Sequence, residues 1–366
     1  SDELEDRRRA RRGLPAGAGA DPQRLRSLAG RIAELEAAYD EAETRLRRLE
    51  AELARDRIRL RLADGSVHAL PLGTVVRMWR PNTMHLGERV AFQLRAVGAF
   101  LGESPREANT GGGVFPAIFG TVLLVLLMAI LVTPLGVVAA IYLHEYARDG
   151  LAVRTLRIAV NNLAGVPAIV YGVFGLGFFV YVVGGSIDAL LFSDRLPSPT
   201  FGAPGLLWAA LTLALLTVPV VIVSTEEGLA RIPREMREGS LALGATRSET
   251  LRRVVLPSAT PAILTGVILA VARAAGEVAP LMLVGVVKLA PQLPVDDRFP
   301  FLHLDRQFMH LGFHIYDVGF QSPNVEAARP VVYATALLLV LVILGLNLLA
   351  IVLRNRLNRR YGAENA

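Results

Sequence analysis

The sequence predicts an all-α polytopic membrane protein that carries a small α+β soluble domain. Three observations predict it. Hydrophobic residues make up 52% of the 366 positions, which suits a chain largely immersed in lipid. Five apolar stretches are long enough to cross a hydrocarbon core of about 30 Å, which takes roughly 20 helical residues. They are Phe115–Leu143, Ile158–Val183, Gly205–Ser224, Ala259–Val287 and Val331–Leu353. Residues 1–113 hold no such stretch and show the periodicities of water-soluble structure instead.

Those periodicities divide the first 113 residues. Leu25, Leu28, Ile32, Leu35, Tyr39, Ala42, Leu46, Leu49 and Leu53 alternate three and four apart, an a/d heptad that predicts a coiled-coil-like helix over 21–56. Such a helix can serve as one arm of an intermolecular coiled coil or pack on its own domain. Ile58, Leu60 and Leu62 then alternate with arginine, Asp64-Gly65 signals a turn, and Val67–Leu72 returns, so a β-hairpin is expected over 57–72. Residues 86–101 read as an amphipathic helix, and Asn109–Gly113 reads as a hinge before the first span.

Arginine counts orient the membrane part, 114–366. Short cytoplasmic connections carry excess Lys and Arg. Arg148, Arg154 and Arg157 lie between the first two spans, six arginines lie in the connection 225–258, and Arg354, Arg356, Arg359 and Arg360 lie in the tail. These three segments share one side, expected to be cytoplasmic, which places 1–113 in the periplasm. The basic run Arg7–Arg12 sits on that outer side, where long translocated domains largely escape the charge rule. A further span before Ser1 would return the N-terminus to the cytoplasm.

Composition excludes several chemistries. No cysteine is present, so disulfides and thiolate sites are absent. Lys288 is the only lysine and lies in Val-Val-Lys-Leu, so the chain holds no P-loop and cannot grip nucleotide phosphates that way. His303, His310 and His314 lie near Asp305 and Asp317 without a metal-ligand spacing, and no metal, cofactor or catalytic residue is expected. The basic charge, +6, does not point to nucleic acid in a chain with five spans.

The connection 225–258 carries the strongest pattern. Pro233 suits a helix start, Gly244 a helix end, and Thr246 with Glu249 a capping box for a second helix. Pro257 is expected to close the segment before the fourth span. A helix–turn–helix with a small-residue corner at Gly244-Ala245 can enter a cleft on a partner and transmit a push. Within the fourth span, Arg273 and Glu277 lie four apart, so they are expected to share one helix face and to pair. Paired charges in a span mark a functional site or a structural ion pair, and a guanidinium suits a phosphate-like anion. Proline and glycine interrupt the spans, as in many transport helices. The pair Asn161-Asn162 is expected to join helix packing.

The spacing Glu238-x5-Gly244-x9-Val254-x-Leu256-Pro257 resembles the EAA loop of ABC-importer permeases, with Gly239 and Ser240 where that family most often has Ala-Ala. Gly113–Thr121, Asn161–Gly172 and Ala272–Pro280 extend the likeness to phosphate permeases of the PstA type, over about 109–360. The resemblance implies a MetI-like helical bundle of six spans and coupling residues Glu238, Gly239, Ser240, Gly244, Ala245, Leu256 and Pro257; the charge pair itself is read as the translocation route, Arg273 facing it and Glu277 holding it in place or gating it. It implies as partners a dimer of ATP-binding subunits, a second homologous permease, a periplasmic phosphate-binding protein and the lipid bilayer. The expected function is phosphate import across a bacterial inner membrane. Another oxyanion, molybdate or sulfate, and an envelope scaffold acting through the heptad helix are the alternatives.

Overall fold

The structure is a computed structural model, and it describes residues 22–61, 64–75, 78–106, 111–148, 150–322 and 325–362. The run Arg7–Arg12 and the hinge residues Asn109 and Thr110 lie outside them. The chain divides into two compact units, residues 1–94 and 95–366.

The first unit is built on one long helix, α1 (Pro22–Arg55), and an antiparallel hairpin, β1 (Arg57–Arg61) with β2 (Val67–Pro71). Arg57 faces Pro71 and Arg61 faces Val67. Gly65 takes φ +87°, a left-handed turn position that glycine adopts without the Cβ penalty. Asp64 accepts from the Ser66 N–H and hydroxyl, which closes the turn and holds its carboxyl below the usual carboxylate range. Helix α2 (Leu86–Gly102) begins where the Glu88 carboxylate accepts from the His85 N–H. It runs across the boundary into the second unit.

The second unit is a helical bundle whose chain holds five helices long and apolar enough to cross a membrane, among the described residues. The first is α3 (Phe115–Ile141), extended by a π-helical turn to Tyr146. A separate helix α4 (Leu151–Leu163) follows, and the second membrane-capable helix is α5 (Ala168–Leu191). The apolar stretch 158–183 is therefore not one span. The chain breaks at Gly165-Val166-Pro167, because proline disfavours helix at the residue before it, and α4 lies outside the span. Asn161 and Asn162 are exposed at the end of α4 rather than packed between helices.

The third membrane-capable helix, α6 (Leu206–Ala230), is the most enclosed. Its Ala209, Ala210, Leu213, Ala214 and Val221 pack with Leu124, Val125, Met128 and Val132 of α3 in the main core. Behind it comes a short helix α7 (Arg234–Ala242), then a turn of helix α8 (Arg247–Thr250), a π-helical turn (Leu251–Val255) and α9 (Leu256–Ala274). The last span is α12 (Val325–Gly362), preceded by the short helices α10 (Leu281–Val284) and α11 (Leu311–Tyr316).

Lipid offers no hydrophobic force between helices, so close backbone approach must supply the packing. Small residues permit it here. A Cβ on Gly136 would lie 2.6 Å from Cγ1 of Val221, and one on Gly266 would lie 2.8 Å from Cβ of Ser224. A Cβ on Gly228 would overlap that of Ala262. Thus α3 and α9 both press against α6 at glycine contacts. Exposed apolar residues such as Ile130, Val138, Leu337 and Leu344 cover the outside of the bundle.

The apolar stretch 259–287 is not one span either. Helix α9 stops at Ala274, and a turn through Gly276 and Glu277 leads to Pro280, which caps α10. Pro280 has no N–H to donate and biases Ala279 away from helix. The chain then bends at Gly285 (φ +158°), and the returning loop is tied to it by Val287 N–H donating to Phe308 O and Phe308 N–H donating to Gly285 O. That loop satisfies the free N–H groups that any helix start leaves. Gly205 donates to Val284 O at 3.0 Å, Leu206 to Arg306 O at 3.0 Å and Leu207 to Leu304 O at 2.9 Å.

Asp188, buried at the end of α5, organises another loop. Its carboxylate accepts from the N–H groups of Thr200, Phe201 and Gly202 at 2.7–2.9 Å. Hydrogen bonds to a charged acceptor are worth about 1.5–3 kcal/mol each and are not additive. Asp188→Ala is expected to lower the stability of the detergent-solubilised protein by about 2–4 kcal/mol, read as an earlier thermal transition. Asp188→Asn, which keeps one acceptor oxygen, is expected to fall between the two. A wild-type transition for Asp188→Ala would remove this role.

Candidate coupling loop and translocation route

The loop between α6 and α9 is built from its caps. Pro233, with φ −55°, stands just before α7 rather than in its first turn. Helix α7 ends with two hydrogen bonds, Gly244 N–H to Leu241 O at 3.0 Å and Ala245 N–H to Ser240 O at 3.2 Å. That is the Schellman arrangement, and it puts Gly244 at φ +87°. Thr246 then caps α8. Its hydroxyl accepts from the Glu249 N–H at 3.2 Å, and the Glu249 carboxylate accepts from the Thr246 N–H at 2.8 Å. These bonds hold the Glu249 carboxyl below the usual carboxylate range.

Internal contacts fix the corner to the bundle. Ser240 Oγ and Thr250 Oγ1 lie 2.9 Å apart and join α7 to α8. The half-buried Arg237 guanidinium donates to Glu145 at 2.9 Å, to Leu229 O at 2.9 Å and to Ile232 O at 3.3 Å. It thereby ties α7 to the end of α6 and to the turn after α3. Arg157 of α4 sits 3.4 Å from Glu226 of α6 and donates to Leu143 O.

The sequence-derived coupling residues divide into two groups. Glu238, Gly239 and Gly244 are exposed, and beyond the adjoining backbone no atom of the described residues lies within 4 Å of a Cβ added at Gly239 or Gly244. The small size of Gly239 is therefore not required by packing inside this chain. Ser240, Ala245, Leu256 and Pro257 are half-buried. Beside them stand apolar residues that sequence reasoning did not single out. Leu243 is 91% exposed, and Met236 and Leu241 are also exposed. These apolar side chains stand open on an otherwise charged loop.

Pro257 does not close the segment. From Arg247 to Ala274 the backbone stays helical, through the π-helical turn Leu251–Val255, although Pro257 and Pro261 have no N–H to donate. Proline within a regular helix would collide with the carbonyl four residues back. The wider turn just before Leu256-Pro257 accommodates the ring. The loop's second helix is thus the first part of the fourth membrane-capable helix, Arg247–Gly276.

Arg273 and Glu277 stand at the far end of that rod. Arg273 Nε lies 3.7 Å from Glu277 Oε1, with both side chains partly buried. They do not share a regular helix face, because the helix has ended between them. The pair sits where helix gives way to turn, and such backbone is tolerated at membrane depth only when it is buried in protein or lines a cavity. Two of the passages that carry the resemblance meet here. Gly172 packs on the break so closely that a Cβ would lie 2.7 Å from Cα of Pro280. Tyr171, within electrostatic reach of Arg273, donates to Leu163 O at 2.6 Å.

The histidines go elsewhere. His303 pairs with Asp296 at 2.9 Å, beside Arg306 at 2.6 Å. Hydrogen bonds from Arg298 N–H and Arg306 lower the Asp296 carboxyl to about 2. His310 accepts from the Gly312 N–H, and burial lowers it to about 4. Burial likewise lowers His314 to about 4, and Asp317 nearby pairs with Lys288 at 3.2 Å. Asp305 joins none of these pairs among the described residues. Arg237 with Glu145, Asp188 and the Asp296 cluster were missed by sequence reasoning. Only Asp188 carried a signal, as an ionisable residue at the end of an apolar run.

Residues 132–363 match the model of the binding-protein-dependent transport system inner membrane component family. The chain belongs to that family. It is 35% identical over 251 residues to the phosphate transport system permease protein PstA of Mycobacterium leprae, covering 68% of this chain and 73% of that one. Identity to the PstA of Yersinia pestis is 33% over 258 residues, 70% of this chain and 77% of the relative. The probable ABC transporter permease YqgH of Bacillus subtilis is 34% identical over 194 residues, and there the match spans 53% of this chain and 59% of the relative. An inward-facing structure of the MetNI methionine ABC transporter overlaps 66% of this chain and 94% of its own at 19% identity, with a TM-score of 0.48. This protein is thus a permease subunit of an ABC importer, an inner membrane component with a mostly helical bundle. Its relatives are transport subunits rather than catalysts.

The caps make the permease loop testable. A residue with a Cβ at φ +87° costs roughly 1–2 kcal/mol. Gly244→Ala is therefore expected to raise amide exchange over 234–243 by about 5- to 30-fold in the solubilised protein. Unchanged exchange would show that the corner does not depend on glycine. Because the Glu249 carboxyl is lowered in the folded loop, its contribution is present above its unfolded value. It is lost as pH falls through the lower folded value. The protection of the Thr246 and Glu249 amides, taken against their intrinsic exchange rates at each pH, is expected to fall as pH drops below the usual carboxylate range, and Glu249→Gln is expected to flatten that response.

Proposed function

We propose that this permease subunit imports inorganic phosphate, driven by a dimer of ATP-binding subunits that grip the loop 225–258. A second homologous permease and a periplasmic phosphate-binding protein complete the proposed assembly, with residues 1–113 in the periplasm. The observation that carries the reading is the continuous helix from Arg247 to Ala274. It joins the exposed corner at Gly244-Ala245 to the partly buried pair Arg273 and Glu277. In the proposed mechanism, closure of the ATP-binding dimer displaces the corner, Glu238 and Leu243 lying in the contact. The rod then tilts against α6 and carries Arg273 with it.

Phosphate is supported by two things. The names of the Mycobacterium leprae and Yersinia pestis relatives describe phosphate transport. A guanidinium also presents a fork of N–H donors that matches two phosphate oxygens. In this reading Glu277 holds Arg273 in place while the site is empty and releases it to the anion. The pair is only loosely closed at 3.7 Å, which suits a contact meant to be exchanged.

The test is phosphate uptake in cells carrying the full-length permease with its partners. Loss of a charge-assisted contact is worth about 1.5–3 kcal/mol, so Arg273→Ala is expected to reduce uptake by at least about tenfold. Arg273→Lys, which keeps the charge and loses the fork, is expected to fall between. Unchanged uptake in both variants would take Arg273 off the route. Permease-dependent uptake of molybdate or sulfate, with no such uptake of phosphate, would transfer the reading to another oxyanion. Separately, Leu243→Asp is expected to abolish co-purification of the ATP-binding subunits while the permease still accumulates. Intact co-purification would remove the corner from the contact.

A further inference from the structure

Helix α1 carries an apolar stripe that its own unit leaves open. Leu35, Tyr39, Leu46 and Leu49 are 38–56% exposed. The contacts that α1 makes with the rest of the unit gather at its last turn, where Leu72 donates to Asp56 O and Gly73 lies against Leu53. The heptad register follows from the stripe. Leu25, Ile32, Tyr39, Leu46 and Leu53 take position a, and Leu28, Leu35, Ala42 and Leu49 take position d.

The flanking charges say what covers the stripe. Position e holds Ala29, Glu36, Glu43 and Glu50, while position g holds Arg24, Arg31, Ala38, Arg45 and Glu52. In a parallel pair each g residue faces the e residue that follows it on the other helix. Two identical helices then place Arg31 opposite Glu36 and Arg45 opposite Glu50, each pair twice by symmetry. Arg24 meets Ala29, and Ala38 meets Glu43, so no like charges face each other between g and e within the helix. An antiparallel pair places e opposite e and g opposite g, which sets Glu against Glu and Arg against Arg. Such surface pairs add little stability, but they set partner choice and orientation.

We propose that α1 pairs in parallel and in register with α1 of a second copy of this chain, joining two copies of the permease through residues 22–55. This interface goes beyond the transport reading and does not depend on the identity of the transported anion. The heptad pattern alone allows any partner helix. It is the self-complementary e and g charges, together with the exposed stripe, that select a second copy.

The absence of cysteine makes the test clean. Ile32→Cys, Leu46→Cys and Ala51→Cys are made singly in the full-length permease, expressed with its partners, and oxidised in membranes. Both a-position variants are expected to form a covalent dimer, confirmed with two differently tagged copies. Ala51 lies at position f on the opposite face, and its yield is expected to be lower by at least about tenfold, because a disulfide needs Cα atoms within about 7 Å. Residues 32 and 46 are roughly 21 Å apart along a helix, so both self-link only in a parallel, in-register pair. Glu36→Arg with Glu50→Arg in the Leu46→Cys background is expected to lower the yield several-fold. Adding Arg31→Glu with Arg45→Glu is expected to restore it, which separates lost pairing from a misfolded helix. The proposal is overturned if neither a-position variant self-links, if only one does, if the linked product contains a different polypeptide, or if charge reversal leaves the yield unchanged.

Discussion

The hydrogen-bonded backbone between Arg247 and Ala274 is the constraint around which the rest of the permease unit is arranged. A helix passes displacement along its axis as long as most of its i to i−4 ladder, or a π-widened version of it, holds. Pro257 and Pro261 each leave out one donor, and the π-helical turn before Pro257 lets the helix run on. Both ends are then defined by residues that stop a helix for different reasons. At one end Gly244 and the Thr246–Glu249 capping box turn the chain sharply. At the other, Gly276 and Pro280 end the regular structure beside Arg273. The contacts with α6 at Gly228 and Gly266 bring the rod close without interlocked large side chains.

Backbone accounting explains why the irregular segments lie where they do. Every non-helical stretch next to the bundle has to find partners for its N–H and C=O groups. The returning loop 285–308 finds them at the start of α6, whose first donors would otherwise be orphaned. Thr121 adds a tie, its hydroxyl accepting from the Leu311 N–H at 2.9 Å and donating to Ala117 O. The loop 192–205 instead turns inward onto the Asp188 carboxylate. These arrangements hold α6 in place at its start while α7 and Arg237 hold it at its end. The helix in the middle of the core is therefore anchored twice, and α9 has a fixed surface to move against.

Much of this was legible in the sequence, and the failures have physical causes. The membrane-capable helices near 115–143, 205–224 and 331–353 were visible because each is a single uninterrupted apolar run. The stretches 158–183 and 259–287 were read as spans because hydropathy averages over a break. Proline was expected to interrupt the spans, but composition does not say whether a given proline kinks a helix or, as at Pro167 and Pro280, ends it. Pro257 misled in the opposite direction, since a π-helical turn leaves no mark in the residue pattern. The capping box and the glycine corner were readable because both are local and rest on fixed offsets. Arg237 with Glu145 was not, since the partners are 92 residues apart and only the packed bundle brings them together.

The geometry of the rod also bears on why a charge pair should stand at its end. From Arg247 to Arg273 a helix covers roughly 40 Å. If the proposed push displaces the corner and tilts the rod by about 10° about its contact with α6 at Ala262, the far end moves by roughly 3 Å, about the reach of a hydrogen bond. A site in the middle of the rod, at the glycine contacts with α6, would hardly move. A pair placed beyond the last helical turn has, in addition, a flexible connection on one side only. Arg273 would travel with the rod, while Glu277, on the turn toward Pro280, is held by the packing of Gly172 on that break. The same tilt that moves the guanidinium therefore changes its distance from the carboxylate. A buried anion site needs this coupling, because a guanidinium released from its carboxylate on one side of the membrane must be neutralised again on the other.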